Sequence, residues 1–156
     1  LKRNVRNTPQ IVRWLEKTCG ARIGKSEAKG AGPEVEVMLN NEFRRLLTGK
    51  EYHREYGEIH KEEVVVLYPG QLSNEDREGI HTEFKNVCEL STIDAFRGLE
   101  SNIIYVKGLG KINNLDELKD QSYSAVSRAR SLCIIEGDEK TLTRFNKLMR
   151  YCRDGA

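Results

Sequence analysis

The sequence predicts an α/β fold in which helices cover both faces of a mainly parallel sheet. Short apolar runs alternate with helical patterns along the chain, which is the arrangement of repeated βα units. The run Val64–Tyr68 contains no charged residue and stops at Pro69 and Gly70. Such a strand is typical of a parallel sheet that is buried on both faces. The chain of 156 residues can bury a sizeable core, and we expect one domain over residues 1–156.

The first two helices are predicted from their N-terminal signals and their apolar spacing. Thr8 can cap a helix in which Pro9 takes the first position, where its missing N–H costs nothing. This helix should end near Gly20. Asn40 or Asn41 can cap the second helix. Its buried face is predicted to contain Phe43, Leu46 and Leu47.

Three further helices are predicted in the second half of the chain. Ser73, with Asp76 three residues later, opens one of them. A long helix follows with apolar residues mostly three or four positions apart, namely Leu115, Leu118, Ala125, Val126 and Ala129. Asp138 is expected to cap the last helix. Its buried side is predicted to contain Leu142, Phe145, Leu148 and Met149.

Five strands and two long loops complete the prediction. The strands are expected at residues 34–38, 64–68, 87–92, 103–106 and 132–135. Residues 21–33 are rich in Gly, Lys and Ala without apolar periodicity, which indicates a loop. Residues 49–61 are very polar, so they are predicted as an exposed loop or a frayed helix.

Composition excludes several classes of protein. No stretch approaches the ~18–20 uninterrupted apolar residues of a membrane-spanning helix, so no membrane partner is expected. The 26 basic and 24 acidic residues leave a net charge of +2, which neither requires nor excludes a nucleic-acid partner. The four cysteines lack zinc spacing, so no metal site is predicted and a reduced, cytoplasmic setting is expected. Because the chain begins with Leu1, we expect a segment cut from a longer protein.

The run Gly24-Lys25-Ser26 has the residues that end a phosphate-binding loop. That loop requires another glycine five positions before Gly24, and residue 19 is a cysteine. The preceding segment is also predicted as a helix, whereas a phosphate loop follows a strand. We therefore predict that this chain contains no phosphate loop.

Three other segments have the character of functional motifs. The first is Asn4-Val5-Arg6-Asn7. The second runs from Ser91 to Glu100 with the sequence Ser-Thr-Ile-Asp-Ala-Phe-Arg-Gly-Leu-Glu, and a predicted strand follows it. The third runs from Tyr123 to Arg130 with the sequence Tyr-Ser-Ala-Val-Ser-Arg-Ala-Arg, and it precedes the last predicted strand.

In this order the segments resemble three motifs of superfamily-one helicases of the UvrD and Rep type. The family patterns are Asn-Tyr-Arg-Ser, Thr-x-His-x-x-Lys-Gly-Leu-Glu and Tyr-x-Ala-x-Thr-Arg-Ala-Lys/Arg, all in the second RecA-like motor domain. The resemblance covers residues 1–150 and implies a RecA-like, three-layer fold. The chain departs from the family at Val5, which replaces a Tyr that stacks on adenine. It also departs at Asp94 and Arg97, which replace His and Lys or Gln.

The resemblance implies an ATP-dependent helicase whose ATP lies between this domain and an N-terminal RecA-like domain that carries the phosphate loop. Arg128 would be the arginine finger at the terminal phosphate, with Arg6 as its partner. A guanidinium in that position stabilises the charge of phosphoryl transfer and contributes roughly 10³–10⁵ in rate. Mg²⁺ would be held by ATP and by the N-terminal domain. On its own, this domain is expected to be inactive.

The resemblance also implies roles for the residues of the second motif. Gly98 would let the backbone turn sharply or approach a ligand closely. Glu100 would accept a hydrogen bond from a ribose hydroxyl of ATP. Thr92, Asp94 and Arg97 would contact single-stranded DNA or RNA.

Two alternative functions remain open at this point. Residues 8–90, between the first two motifs, are too few to include the large domain that UvrD-type enzymes insert there. The protein would then be a nucleic-acid-stimulated ATPase that acts as a sensor or defence switch without unwinding. The second alternative is a degenerate RecA-like module that binds other proteins.

Overall fold

The structure, a computed structural model, describes residues 7–23 and 31–154. The helices there are α1 (Pro9–Cys19), α2 (Asn40–Leu47), α3 (Asn74–Phe84), α4 (Leu115–Val126) and α5 (Glu139–Arg153). The strands are β1 (Glu36–Met38), β2 (Val64–Tyr68), β3 (Glu89–Thr92), β4 (Ser101–Val106) and β5 (Ala129–Glu136). These strands form one sheet in the order β1-β5-β4-β2-β3, and every pairing is parallel. The predicted α/β class with a parallel sheet is confirmed.

Two apolar cores cover the two faces of the sheet. In β4, Ile104 and Val106 face the core formed with α1, α4 and α5, whereas Ile103 and Tyr105 face the core formed with α2 and α3. This alternation follows from the two-residue period of a strand. The side chain of Cys133 in β5 is 1% exposed, and burial raises the pKa of its thiol. This cysteine therefore packs as an apolar residue.

Three of the predicted helix caps are confirmed. The Thr8 hydroxyl accepts a hydrogen bond from the Ile11 N–H, and the Ser73 hydroxyl accepts one from the Asp76 N–H. Asp138 accepts from the N–H of Thr141, whose hydroxyl accepts from the Asp138 N–H in return. The bond from the Thr141 N–H is the main reason that the pKa of Asp138 is lowered.

Two predicted side-chain positions are wrong. Neither Asn40 nor Asn41 caps α2, because the helix begins at Asn40 and Leu39 precedes it without a side-chain cap. The Asn40 side chain instead accepts hydrogen bonds from neighbouring polar groups, described below. Leu142 is 47% exposed and does not lie on the buried side of α5.

Several element boundaries also differ from the prediction. Ala129 does not end the long helix; α4 ends at Val126, and Ala129 begins β5 because it pairs with Ser101 of β4. This pairing also extends β4 beyond its predicted start at residue 103. The polar stretch is a loop up to residue 60, closed by a bridge between His53 and Gly57, and a single 3₁₀ turn follows at Lys61–Glu63. A frayed helix does not form there.

A buried lysine that directly follows β4 connects four elements of the fold. Lys107 is 9% exposed, and its Nζ atom lies 3.1 Å from Asn40 Oδ1, 3.1 Å from Glu83 Oε1 and 3.7 Å from Glu136 Oε2. The Tyr105 hydroxyl donates to the same Asn40 oxygen at 2.7 Å. These contacts connect α2, α3 and β5 to the end of β4, so Lys107 should contribute substantially to stability.

Replacing Lys107 by methionine should lower the free energy of unfolding by about 2 kcal/mol, because Glu83 and Glu136 would lose their cation. The effect is below the ~3–5 kcal/mol of a fully buried pair, since both carboxylates are partly hydrated. Urea denaturation of the two proteins would measure it. Lys111→Met, at an exposed position of the same region, is the control and should change stability by less than about 0.5 kcal/mol. Equal losses in the two variants would contradict a special role for Lys107.

Candidate functional site

The parallel sheet separates the predicted site residues into two groups. We call the side where the strands begin the amino edge and the side where they end the carboxyl edge. Glu100 precedes β4 and Arg128 precedes β5, so both lie at the amino edge. Thr92 is the last residue of β3 and lies at the carboxyl edge. At ~3.3 Å per residue, the strands place these edges roughly 15–20 Å apart.

Arg128 is held at the amino edge by side-chain and backbone contacts. Its Nη1 donates to the carbonyl oxygen of Leu99 at 3.4 Å, and its Nη2 donates to the hydroxyl of Ser127 at 3.2 Å. Its own carbonyl accepts from the Ser101 N–H at 3.0 Å. The side chain is half-buried, and a guanidinium has five N–H donors. Arg128 can therefore keep these contacts and still donate to an anion at this edge.

Asn7 fixes the backbone on both sides of Arg128. It is 1% exposed, and its Nδ2 donates to the carbonyl oxygens of Ser127 at 3.0 Å and Ala129 at 2.5 Å. Asn7 directly follows Arg6, which lies outside the described residues together with Val5. The segment that resembles the first motif is thus bonded to the one that resembles the third. The sequence gives no local signal for this role, because the partners are 120 and 122 residues away.

Gly98 and Glu100 end the connection that leads to β4. Gly98 has a φ of +83°, a conformation that favours glycine, and the surrounding space is open. This conformation is compatible with a sharp turn of the backbone at Gly98. Glu100 forms an ion pair with Arg130, with 3.4 Å between its Oε1 and the arginine Nε. Gly98, Glu100 and Arg130 line an open cavity of about 680 Å³ at the amino edge.

The three residues predicted to contact nucleic acid lie in the first part of the same connection. The Thr92 oxygen Oγ1 accepts from the Ala95 N–H at 3.2 Å. Asp94 and Arg97 are exposed and form an ion pair with each other at 3.6 Å. Thr92 thus marks the carboxyl edge, and Asp94 and Arg97 follow it on the surface.

The connection from Thr92 to Glu100 spans the two edges. Its first residue belongs to the carboxyl edge and its last to the amino edge. Ile93 and Phe96 anchor it in the first core, where they are 2% and 4% exposed. One short segment therefore links the surface around Thr92 to the surface around Arg128.

Comparison with known proteins shows a similarity of fold but no match in sequence. No protein-family model and no curated protein matches this sequence. Among solved structures, the fold is similar to that of the C-terminal domain of a possible DNA helicase from Lactobacillus plantarum WCFS1. The TM-score is 0.57 at 15% sequence identity, and the match covers 85% of this chain and 86% of that one. The shared fold is consistent with the predicted RecA-like, three-layer arrangement.

Within residues 7–23 and 31–154, no helix has both the length and the apolar character that a membrane crossing requires.

Replacing Asn7 by alanine should destabilise the domain by about 2 kcal/mol, because two buried carbonyl oxygens lose their donor. Thermal and urea unfolding of the chain would measure this loss. Asn146→Ala, at an exposed position of α5, is the matched control and should stay within about 0.5 kcal/mol of the unmodified chain. An Asn7 variant as stable as the control would mean that these bonds do not fix the Arg128 segment.

Proposed function

We propose that this chain is the second motor domain of a cytoplasmic ATP-dependent helicase or translocase of the superfamily-one, UvrD/Rep type. The observation that carries the proposal is the contact of Arg128 with the Leu99–Glu100 segment at the amino edge. Both segments resemble helicase motifs, and they must be adjacent to act on one nucleotide. The similarity in fold to a domain of a possible DNA helicase supports the same function.

The proposed nucleotide site uses the amino edge. Arg128 donates to the terminal phosphate of ATP and stabilises the charge that develops during phosphoryl transfer. Arg6 acts on the same phosphate. Glu100 accepts a hydrogen bond from a ribose hydroxyl, and the turn at Gly98 lets the backbone approach the nucleotide. The rest of the site belongs to an N-terminal RecA-like domain with the phosphate loop.

Mg²⁺ is assigned to ATP and to that N-terminal domain. Residues 7–23 and 31–154 contain no group of three or more His, Cys, Asp or Glu side chains that could hold a metal ion. Mg²⁺ typically binds through one or two carboxylates together with substrate phosphates. In this proposal, the domain stabilises the phosphate charge through the arginine pair.

The proposed path of single-stranded DNA or RNA follows the carboxyl edge. The Thr92 oxygen accepts from the Ala95 N–H, which leaves the hydroxyl proton to donate to a phosphate oxygen. Arg97 is 77% exposed and can add a positive charge at the cost of its contact with Asp94. The residues proposed to bind nucleic acid and those proposed to bind ATP then lie at opposite edges of one sheet.

The connection from Thr92 to Glu100 belongs to both proposed binding sites, because it starts at the nucleic-acid site and ends at the ATP site. When ATP draws the two motor domains together through Arg6 and Arg128, Glu100 and Gly98 are engaged at one end of the connection. Thr92 lies at the other end of the connection, where a shift can strengthen or weaken the binding of single-stranded DNA or RNA. Repeated closure and opening would step the protein along the strand.

A second candidate is a nucleic-acid-stimulated ATPase that acts as a sensor or defence switch without unwinding. The observation in its favour is the compact path between β1 and β3. The longest connection there, residues 48–60, is too short for an inserted domain. The degenerate protein-binding module is less favoured, because the Arg128 and Glu100 side chains lie at a common edge.

Replacing Arg128 by alanine in the full-length protein should lower strand-stimulated ATP hydrolysis at least about a hundredfold, the scale of a lost arginine finger. Steady-state hydrolysis with and without single-stranded DNA or RNA would measure it. Arg45→Ala, which breaks an exposed ion pair with Glu51, is the control and should hydrolyse ATP normally.

Two outcomes would separate the candidates. If DNA or RNA does not stimulate ATP hydrolysis by the full-length protein, a RecA-like binding module becomes the better explanation. The same holds if the Arg128 variant hydrolyses ATP normally. Stimulated hydrolysis without strand separation in a parallel unwinding assay would favour the sensor or switch.

A further inference from the structure

The ion pair between Arg130 and Glu100 has no part in the function proposed so far. The Arg130 side chain is 50% exposed and that of Glu100 is 28% exposed, so the pair lies at the surface of the amino edge. Both residues line the cavity of about 680 Å³. The pair is therefore open to a ligand that enters this cavity.

Arg128 and Arg130 lie on either side of Ala129, which is fully buried. Arg128 directly precedes β5 and Arg130 is its second residue, and the two side chains contact different groups. Arg128 contacts the carbonyl oxygen of Leu99, and Arg130 contacts the carboxylate of Glu100. Two neighbouring arginines of one motif thus hold two consecutive residues of the other.

The charges around the cavity indicate how Arg130 acts on the Glu100 carboxylate. Its wall contains three further carboxylates, those of Glu62, Glu63 and Glu89. Repulsion by these groups favours Glu100 conformations that turn away from the cavity. The guanidinium of Arg130 opposes this repulsion and favours the conformation in which the carboxylate lies at the cavity wall.

We propose that Arg130 is a positioning residue that holds the Glu100 carboxylate ready for the ribose of ATP. This inference rests on the proposed function and deepens it, because it names a residue that sets ribose recognition at the same site. Arg130 would act through Glu100 and would not contact the phosphates. Its loss should therefore weaken ATP binding and ribose selectivity while the chemical step remains intact.

The test uses the full-length protein and compares kcat and KM for ATP, 2′-deoxy-ATP and 3′-deoxy-ATP. In the unmodified protein, loss of the hydroxyl that Glu100 accepts should raise KM about tenfold, the scale of a hydrogen bond to a charged group. In Arg130→Ala, KM for ATP should rise about fivefold, the upper end for an exposed ion pair, with kcat unchanged. The penalty for the missing hydroxyl should then fall to about twofold, because both changes remove the same interaction.

Three further variants make the result specific. Glu100→Gln should reduce ribose selectivity in the same way, and Arg130→Lys should recover part of it because the positive charge is kept. Arg45→Ala is the matched control, since it removes an arginine from an exposed pair with a glutamate at 2.9 Å. Its selectivity should equal that of the unmodified protein.

Each other outcome overturns the inference in a distinct way. A hundredfold fall of kcat in Arg130→Ala, like that expected for Arg128→Ala, would make Arg130 a phosphate ligand. Unchanged selectivity in Arg130→Ala would show that Glu100 needs no positioning. Arg128-dependent hydrolysis without any ribose preference would leave the motor function standing and remove this inference alone. Absence of hydrolysis in the unmodified protein would remove both.

Discussion

The ladder between β4 and β5 holds the candidate nucleotide site together. Ser101 pairs with Ala129, and the Ser101 N–H bonds to the Arg128 carbonyl, so the two segments that resemble helicase motifs enter the sheet side by side. The contacts of both arginines with Leu99 and Glu100 depend on this register. A parallel pairing is needed, because an antiparallel one would place the start of β4 against the end of β5.

The same parallel geometry requires the chain to return from one edge to the other after every strand. Most of these returns use a helix, as in ordinary βαβ units. The return from β3 to β4 is made by the short segment from Ile93 to Glu100 instead, with two apolar anchors in the first core. The anchors at Ile93 and Phe96 tie this segment to the first core between the two edges.

Much of the fold was predictable from the sequence, because it depends on local patterns. The caps at Thr8, Ser73 and Asp138 need only neighbouring residues, and β2 is apolar throughout. The misses at Ala129 and Asn40 share a long-range cause. Ala129 has a helical context but pairs with Ser101, and Asn40 has a capping context but bonds to Tyr105 and Lys107. The amide of Asn7 is likewise determined by carbonyls at the far end of the chain.

Phe96 has two surroundings at once, and this affects how sequence variation in the domain should be understood. Its ring belongs to the first core, and it also lines the cavity beside Glu100. Under the proposed function, selection on this position would act on folding and on the response to ligand together. A conservative substitution of Phe96 could then give a stable, soluble protein in which ATP binding at one edge no longer affects nucleic-acid binding at the other. In genetic screens, mutations that separate ATP hydrolysis from nucleic-acid binding would then be found at apolar core positions as well as at charged surface residues.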